Sequence, residues 1–175
     1  MTIIILKTNS KMEVALRPMI EDDWDSVAEI YRQGIETGNA TFETNIPSWD
    51  KWSSTHLKAC RIVATIENSI VAWAALVSVS ERNVYSGVAE VSIYVSNNFK
   101  GLKIGTILLE KLISESEKEG FWTLQAVIFS ENLASLKMHQ DLGFRMVGVR
   151  EKIGNMKGIW RNTILLERRS KIVGI

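Results

Sequence analysis

Apolar and polar residues alternate along several short stretches, and this period of two predicts β-strands. The clearest stretch is Val88–Val95, which has one apolar face and a second face with Glu90, Ser92 and Tyr94. A short turn, Glu67-Asn68-Ser69, joins two β-rich runs and predicts a hairpin. The predicted strands are Met12–Arg17, Ile62–Ile66, Ile70–Val79, Val88–Val95, Phe121–Phe129, Phe144–Arg150 and Asn162–Arg168.

Other segments repeat apolar residues at helical spacing. The longest is Ile104–Glu119, and Gly120 is a suitable end for that helix. The remaining predicted helices are Glu21–Gln33 behind Asp22 or Asp23, Ser48–Ala59 with Ser48 as the cap, and Asn132–Leu142 before Gly143. The order β-α-α-β-β-β-α-β-α-β-β indicates an α/β (α+β) domain with a mixed, mostly antiparallel sheet.

Length and composition indicate one domain. The chain has 175 residues, of which 46% are apolar and 23% charged, and this is enough apolar material for a sizeable core. No internal repeat, low-complexity tract or linker divides it. We therefore expect a single domain over residues 1–175, in which residues 1–11 either add an N-terminal strand or fray.

Charge and cysteine content exclude several classes of function. The net charge of +1 lacks the basic footprint of nucleic-acid binding. No apolar window approaches the ~20 residues that span a bilayer, so we expect no membrane partner. The one cysteine, Cys60, cannot form an internal disulfide, and we expect a packed thiol in a cytoplasmic protein.

The junction after Val95 has the composition of an anion site. Gly101 and Gly105 stand where a strand gives way to a helix. Backbone N–H groups at a helix N-terminus attract anions, and glycine lets phosphate oxygens approach them. The spacing matches neither G-x-G-x-x-G nor G-x-x-x-x-G-K-[ST], so the glycines by themselves leave open a plain turn or a diphosphate site.

The surrounding residues carry a family resemblance. The stretch VSIYVSNNFKGLKIGTILLEKL resembles the acetyl-CoA signature of the GNAT superfamily of N-acyltransferases, Arg/Gln-x-x-Gly-x-Gly/Ala. The signature falls on Lys100–Gly105, with Lys100 in the first position and Lys103 in place of the central glycine. The resemblance implies a GNAT-like sheet with a splayed strand pair, about four flanking helices, and acetyl-CoA as cosubstrate.

Three longer segments resemble the phosphinothricin and methionine sulfoximine acetyltransferase branch of that superfamily. They are ALRPMIEDDWDSVAEIYRQGIETGNATFET, ERNVYSGVAEVSIYV and SENLASLKMHQDLGFRMVGVREKIGNMKGIW. The resemblance implies that the pantetheine arm lies in the splayed gap and pairs with the backbone of Ile93 and Val95. The implied cofactor-binding residues are Ile93, Tyr94, Val95, Lys100, Gly101, Leu102, Lys103, Ile104, Gly105, Thr106 and Asn132.

The same resemblance assigns catalytic and substrate residues. Glu90 matches the proposed general base, and His139 stands where the wider superfamily has a tyrosine that faces the cofactor sulfur. The implied substrate-binding residues are Phe42, Arg82 and Tyr85. The other histidine, His56, is interpreted as an ordinary helix residue. No Cys, His and carboxylate cluster has metal-ligand spacing, so no metal is expected.

The sequence therefore predicts an enzyme that moves acetyl from acetyl-CoA to a small amino-acid-like amine by direct attack in a ternary complex. The segment GNMKGIWRN resembles the glycine-rich loop of that branch, in which Trp-x-Asp is common, and Asn162 stands in place of the aspartate. The branch commonly pairs two subunits, so we expect a homodimer, with Trp160 as a candidate contact. Two alternatives stay open. One is acetyl transfer to a peptide N-terminus or a polyamine. The other is a non-catalytic acyl-CoA sensor, which stays open because Lys103 replaces the central glycine of the acetyl-CoA signature.

Overall fold

The computed structural model describes residues 2–7 and 11–175, and it has one mixed sheet of eight strands in the order β1-β2-β3-β4-β5-β6-β8-β7. The strands are β1 Thr2–Lys7, β2 Lys11–Pro18, β3 Ile62–Ile66, β4 Ser69–Ser78, β5 Val88–Val95, β6 Thr123–Phe129, β7 Arg145–Met156 and β8 Ile159–Arg169. The helices are α1 Trp24–Glu36, α2 Trp49–Thr55, α3 Ile104–Lys118 and α4 Leu133–Asp141. None of the helices so described is long and apolar enough to cross a membrane. The predicted fold class is confirmed.

Several predicted boundaries differ from the structure by a few residues, most of all in the last hairpin and in α2. The last hairpin is longer than predicted because Lys157 and Gly158 both have positive φ, which makes a tight turn at which the strands continue to pair. Helix α2 ends earlier than predicted because Arg61 donates to the carbonyls of Ser53 (2.8 Å) and His56 (2.7 Å). These bonds satisfy backbone acceptors at the helix end, so the chain leaves the helix before Leu57.

The N-terminal segment forms the extra strand that the sequence left open. β1 pairs antiparallel with β2, with Thr2 opposite Leu16 and Lys7 opposite Lys11. Residues 1 and 8–10 of that segment lie outside the described residues. The segment therefore adds an edge strand beside β2.

The central feature of the sheet is a fork between β5 and β6. These strands are the one parallel pair among the described strands, and they pair over Val88–Glu90 and Thr123–Gln125. β5 then continues against β4 as far as Val95, and β6 continues against β8 as far as Phe129. The edge of β5 from Val91 to Val95 therefore faces an opening, which is the predicted splayed pair.

The sheet is covered on both faces. On one face, Leu108, Leu109 and Leu112 of α3 are fully buried in the larger core cluster. On the other face, Val27 of α1 and Trp52 of α2 pack with Trp73 of β4. The alternation along β5 divides its side chains between these faces, because neighbouring residues of a strand point in opposite directions.

Candidate active site

A cavity of about 430 Å³ opens at the fork and is lined by residues from both faces of the sheet. We call its two parts the α1 side and the α4 side. The α1 side is lined by Tyr31, Thr41, Phe42, Glu43, Thr55, His56, Val77, Glu90, Ser92 and Tyr94. The α4 side is lined by Val91, Ile93, Ala126, Ile128, Asn132, Ser135 and His139. Of the predicted site residues, the cavity therefore gathers Phe42, Glu90, Ile93, Tyr94, Asn132 and His139.

Glu90 occupies the last paired position before the strands separate. It lies opposite Val77 of β4 and Gln125 of β6. Burial raises the pKa of the Glu90 carboxyl above its ordinary value, and the charge of Arg150 opposes that rise. A carboxylate whose pKa is raised by burial is a stronger proton acceptor, which suits it to general-base catalysis.

Tyr94 lies on the α1 side, with its ring 4.9 Å from the ring of Tyr31 and 4.7 Å from that of Trp73. Burial raises the pKa of its phenol, which therefore stays protonated at neutral pH. The side chain of Tyr94 helps to form the α1 side of the cavity. Only the backbone of Tyr94 is therefore available for the predicted role in cofactor binding.

His139 is buried on the α4 side with 1% of its surface exposed. Its Nδ1 lies 2.9 Å from the carbonyl oxygen of Ser135, and a carbonyl only accepts, so Nδ1 carries the proton. Burial lowers the pKa of the ring, which leaves Nε2 as an unprotonated nitrogen without a partner among the described residues. In this form His139 accepts a hydrogen bond and does not donate one to a thiolate.

Asn132 has two structural contacts. Its Oδ1 accepts from the backbone N–H of Ser135 at 3.2 Å and so caps α4. Its Nδ2 donates to the carbonyl of Asn39 at 3.0 Å. The side chain therefore ties the 38–43 loop to α4, and its contact with a cofactor stays a prediction.

The turn at residues 100–106 presents backbone N–H groups. The first helical hydrogen bond of α3 runs from Ile107 N to Lys103 O at 3.1 Å, so the N–H groups just before it have no helical acceptor. Gly101 has φ +79° and Lys103 has φ +61°. Lysine at that φ costs about 1 kcal/mol relative to glycine, which explains why the GNAT signature has glycine there.

The interpretation of Gly105 needs a correction. A Cβ at Gly105 would lie 3.0 Å from Met138 Sδ and 3.4 Å from Val95 Cγ2. The absent side chain therefore lets α3 approach α4 and β5, and it does not clear space for phosphate oxygens as the sequence suggested. The backbone N–H of Gly105 is still part of the turn.

The structure does not bring Arg82 and Tyr85 into the cavity. Both are exposed on the loop between β4 and β5, where the Arg82 guanidinium lies 5.7 Å from the Tyr85 ring centroid. This loop enters β5 at its paired end, Val88, whereas the cavity opens beyond Glu90. The two residues are therefore separate from Phe42 and Glu90 in this chain.

Sequence reasoning missed the part played by Arg161. Its guanidinium donates to Gly38 O at 2.8 Å and to Asn39 Oδ1 at 3.1 Å. It also lies 4.2 Å from the ring centroid of Phe129, and that ring contacts the Phe42 ring edge-on at 4.6 Å. Arg161 thus fixes the loop that presents Phe42. The nearest signal in the sequence was the departure from the branch pattern at the next residue, Asn162.

Asn162, which stands where the branch commonly has aspartate, has a backbone partner. Its Oδ1 accepts from the N–H of Lys152 at 2.7 Å, at a point where Lys152 has φ +48°. An amide oxygen makes this bond as a carboxylate would. The change to asparagine therefore keeps a contact that supports an irregular stretch of β7.

His56 was also missed. The sequence indicated an ordinary helix residue, whereas the structure places it just after α2, on the α1 side of the cavity. No spacing along the chain could show this, because Glu90 reaches the same cavity from a distant strand.

We predict that Arg161→Met lowers stability by about 2 kcal/mol, since two hydrogen bonds from a charged donor are lost. It should also loosen Phe42 and raise KM for the acceptor more than it lowers kcat. Urea unfolding and steady-state kinetics measure both effects. Arg145→Met, an exposed ion-pair position on β7, is the control, and equal effects of the two changes on KM would contradict the role of Arg161.

The chain matches the family model described as Acetyltransferase (GNAT) family over residues 24–144. It is 28% identical to phosphinothricin N-acetyltransferase of Streptomyces viridochromogenes over 89% of this chain and 87% of that protein. It is 25% identical to the L-methionine sulfoximine/L-methionine sulfone acetyltransferase of Salmonella typhimurium, over 83% of this chain and 88% of that protein. The crystal structure of a phosphinothricin acetyltransferase from Sinorhizobium meliloti in complex with AcCoA superposes with a TM-score of 0.83 at 28% identity, covering 92% of this chain and 90% of that one. The chain therefore belongs to the GNAT family of acetyltransferases.

Proposed function

We propose that this acetyltransferase moves acetyl from acetyl-CoA to the primary amine of a small amino-acid-like substrate by direct attack in a ternary complex. The observation that carries the proposal is the position of Glu90 at the fork, in a cavity that runs between the two faces of the sheet. A thioester on the α4 side and an amine on the α1 side would meet beside this carboxylate. The AcCoA bound to the similar Sinorhizobium protein supports the choice of cosubstrate.

The chain has backbone groups suited to acetyl-CoA. The edge of β5 that carries Ile93 and Val95 has no β6 partner, so it can pair with the amides of a pantetheine arm. The N–H groups of residues 101–106 can hold the diphosphate, with Lys100 and Lys103 adding positive charge nearby. Acetyl-CoA supplies the activated acetyl group, and the residues of the turn orient it.

Glu90 and His139 are the proposed catalytic residues. Glu90 takes a proton from the attacking amine, because burial raises its pKa and so makes the ionised carboxylate a stronger base. His139 Nε2 lies on the α4 side and can accept the hydrogen bond of the product thiol. Each residue thus serves one of the two reacting groups.

Phe42 is the proposed aromatic wall for the acceptor, and Arg82 with Tyr85 the proposed readers of its carboxylate. Arg82 and Tyr85 lie outside the cavity of one subunit, so a loop movement or a second copy of the chain is needed to bring them to the acceptor. We propose a homodimer through the β7–β8 hairpin, where Val149, Ile153 and Trp160 are exposed. Exposed apolar residues in such a group are typical of an interface.

One observation favours a second class of acceptor. Of the cavity-lining residues that the structure describes, Glu43 and Glu90 are acidic and none is lysine or arginine. A cavity of this charge suits a cationic amine without a carboxylate, such as a polyamine. The alternative acceptor therefore stays beside the leading one.

An acceptor panel at fixed acetyl-CoA tests these proposals by thiol release. We expect release with phosphinothricin or methionine sulfoximine. Turnover with spermidine or a peptide N-terminus alone would favour the second class of acceptor. Acetyl-CoA binding without turnover on any amine would contradict the enzymatic proposal and favour an acyl-CoA sensor.

We predict that Glu90→Gln lowers kcat by about 10²- to 10⁴-fold and leaves the Kd of acetyl-CoA unchanged, because only the proton acceptor is lost. The general base works when it is ionised, so wild-type kcat should fall as the pH drops through the raised pKa of Glu90. Glu110→Gln, an exposed change on α3, is the control. A Glu90 variant with the wild-type rate would remove this residue from the mechanism.

We predict that Gly101→Ala weakens acetyl-CoA binding by about tenfold, because alanine resists the positive φ that orients the turn, and a tenfold change is about 1.4 kcal/mol. Gly120→Ala is a matched control, since both glycines have positive φ (+79° and +86°) and open space at the Cβ position. Calorimetry should show weaker binding for the first variant alone. Equal affinities would contradict the assigned diphosphate site.

A further inference from the structure

His56 is a titratable residue on the α1 side that the proposed mechanism leaves unused. The segment after α2 is tied to the sheet, because Leu57 N donates to Leu76 O at 2.8 Å. The next residue of β4, Val77, lines the cavity and lies directly opposite Glu90. His56 and Glu90 therefore face one cavity from the same face of the sheet.

The imidazole of His56 is held in one orientation. Its ring stacks on Trp52 with 4.1 Å between centroids and an interplanar angle of 17°. Its Nδ1 lies 2.9 Å from the carbonyl oxygen of Trp52, and the Thr55 hydroxyl is 3.2 Å from the same nitrogen. Because a carbonyl only accepts, Nδ1 carries the proton, and Nε2 of the neutral ring is left with a free lone pair.

The surroundings keep this ring neutral. Burial lowers the pKa of His56; the hydrogen bond to the Trp52 carbonyl opposes this, and the positive charge of Arg61 adds to the lowering. Arg61 also donates to the His56 carbonyl at 2.7 Å, so its charge is fixed beside the ring. The other titratable groups that line this side are Glu43, Glu90, Tyr31 and Tyr94. A neutral, oriented imidazole beside an amine site is a proton acceptor.

The proposed reaction removes two protons from the amine, one before the attack and one during it. A primary amine arrives as an ammonium ion and must lose one proton before it can attack. The N–C bond then forms and the C–S bond breaks, and the nitrogen loses a second proton. Of these two protons, one ends on the thiol of CoA and the other in solvent. Glu90 holds one proton at a time, so a separate acceptor for the first proton leaves Glu90 ionised for the attack.

We propose that His56 is the first proton acceptor, whose Nε2 takes a proton from the substrate ammonium and releases it to solvent. Glu90 then takes the second proton during attack. The inference rests on the proposed acetyl transfer to an amine and deepens it. It gives the two bases separate tasks, one that prepares the nucleophile and one that acts with bond formation.

Two variants of His56 test this division. In His56→Asn the amide nitrogen can keep the hydrogen bond to the Trp52 carbonyl, but no atom remains at Nε2. In His56→Gln an amide reaches the Nε2 position but cannot take a proton. For both we expect kcat/KM to fall by about 10²-fold at pH 7. The loss should shrink as the pH approaches the pKa of the substrate ammonium, because solvent then supplies the free amine.

Ser54→Ala, in the same turn of α2, is the matched control and should keep the wild-type pH profile. A loss in the His56 variants that is the same at every pH would mean a structural role and would overturn the proposal. So would a wild-type profile in His56→Asn. Thermal unfolding of each variant separates a folding defect from a loss of the proton acceptor.

A second measurement does not need turnover. Nitrogen-15 NMR of the imidazoles in the free protein should show His56 with its proton on Nδ1, and the Nε2 resonance should move when spermidine or methionine sulfoximine is added. A proton on Nε2, or no response to either amine, would overturn the role of His56. Absence of thiol release with every amine would instead overturn the proposed function, whatever the spectrum shows.

Discussion

The break in the β5–β6 ladder after Glu90 and Gln125 is the constraint on which the rest of the structure depends. Backbone N–H and C=O groups in a protein interior need hydrogen-bond partners. Two strands that separate inside a sheet leave such groups on their facing edges, where a ligand can pair with them. The fork stays open because β5 is held by β4 as far as Val95 and β6 is held by β8 as far as Phe129. The ladder break therefore makes a site with walls that exist before any ligand binds.

The fork also explains why the two substrates would not compete for space. Alternate residues of β5 point to opposite faces, so Ile93 packs toward α3 and α4 while Tyr94 packs toward α1. A cosubstrate and an acceptor can approach from different faces and meet at the last paired residue. The half-buried carboxyl of Glu90 lies at this last paired residue, and burial raises its pKa.

The sequence predicted the parts of the site that depend on local pattern. Alternation located β5 and put Glu90 on its polar face, and the signature at 100–106 located the turn before α3. It could not predict how distant segments meet. Arg161 reaches Gly38, and His56 shares a cavity with Glu90, only because the folded sheet brings these segments together. Gly105 matched a motif, yet its missing side chain serves contact with Met138, which no motif records.

Hydrogen–deuterium exchange with and without acetyl-CoA tests the central claim most directly, because it reports backbone amides one segment at a time. If the open edge of β5 and the turn before α3 bind the cosubstrate, exchange should slow at residues 91–95 and 101–106, and the β7–β8 hairpin should change little. Unchanged exchange in both segments at saturating acetyl-CoA, or protection confined to other strands, would contradict the account.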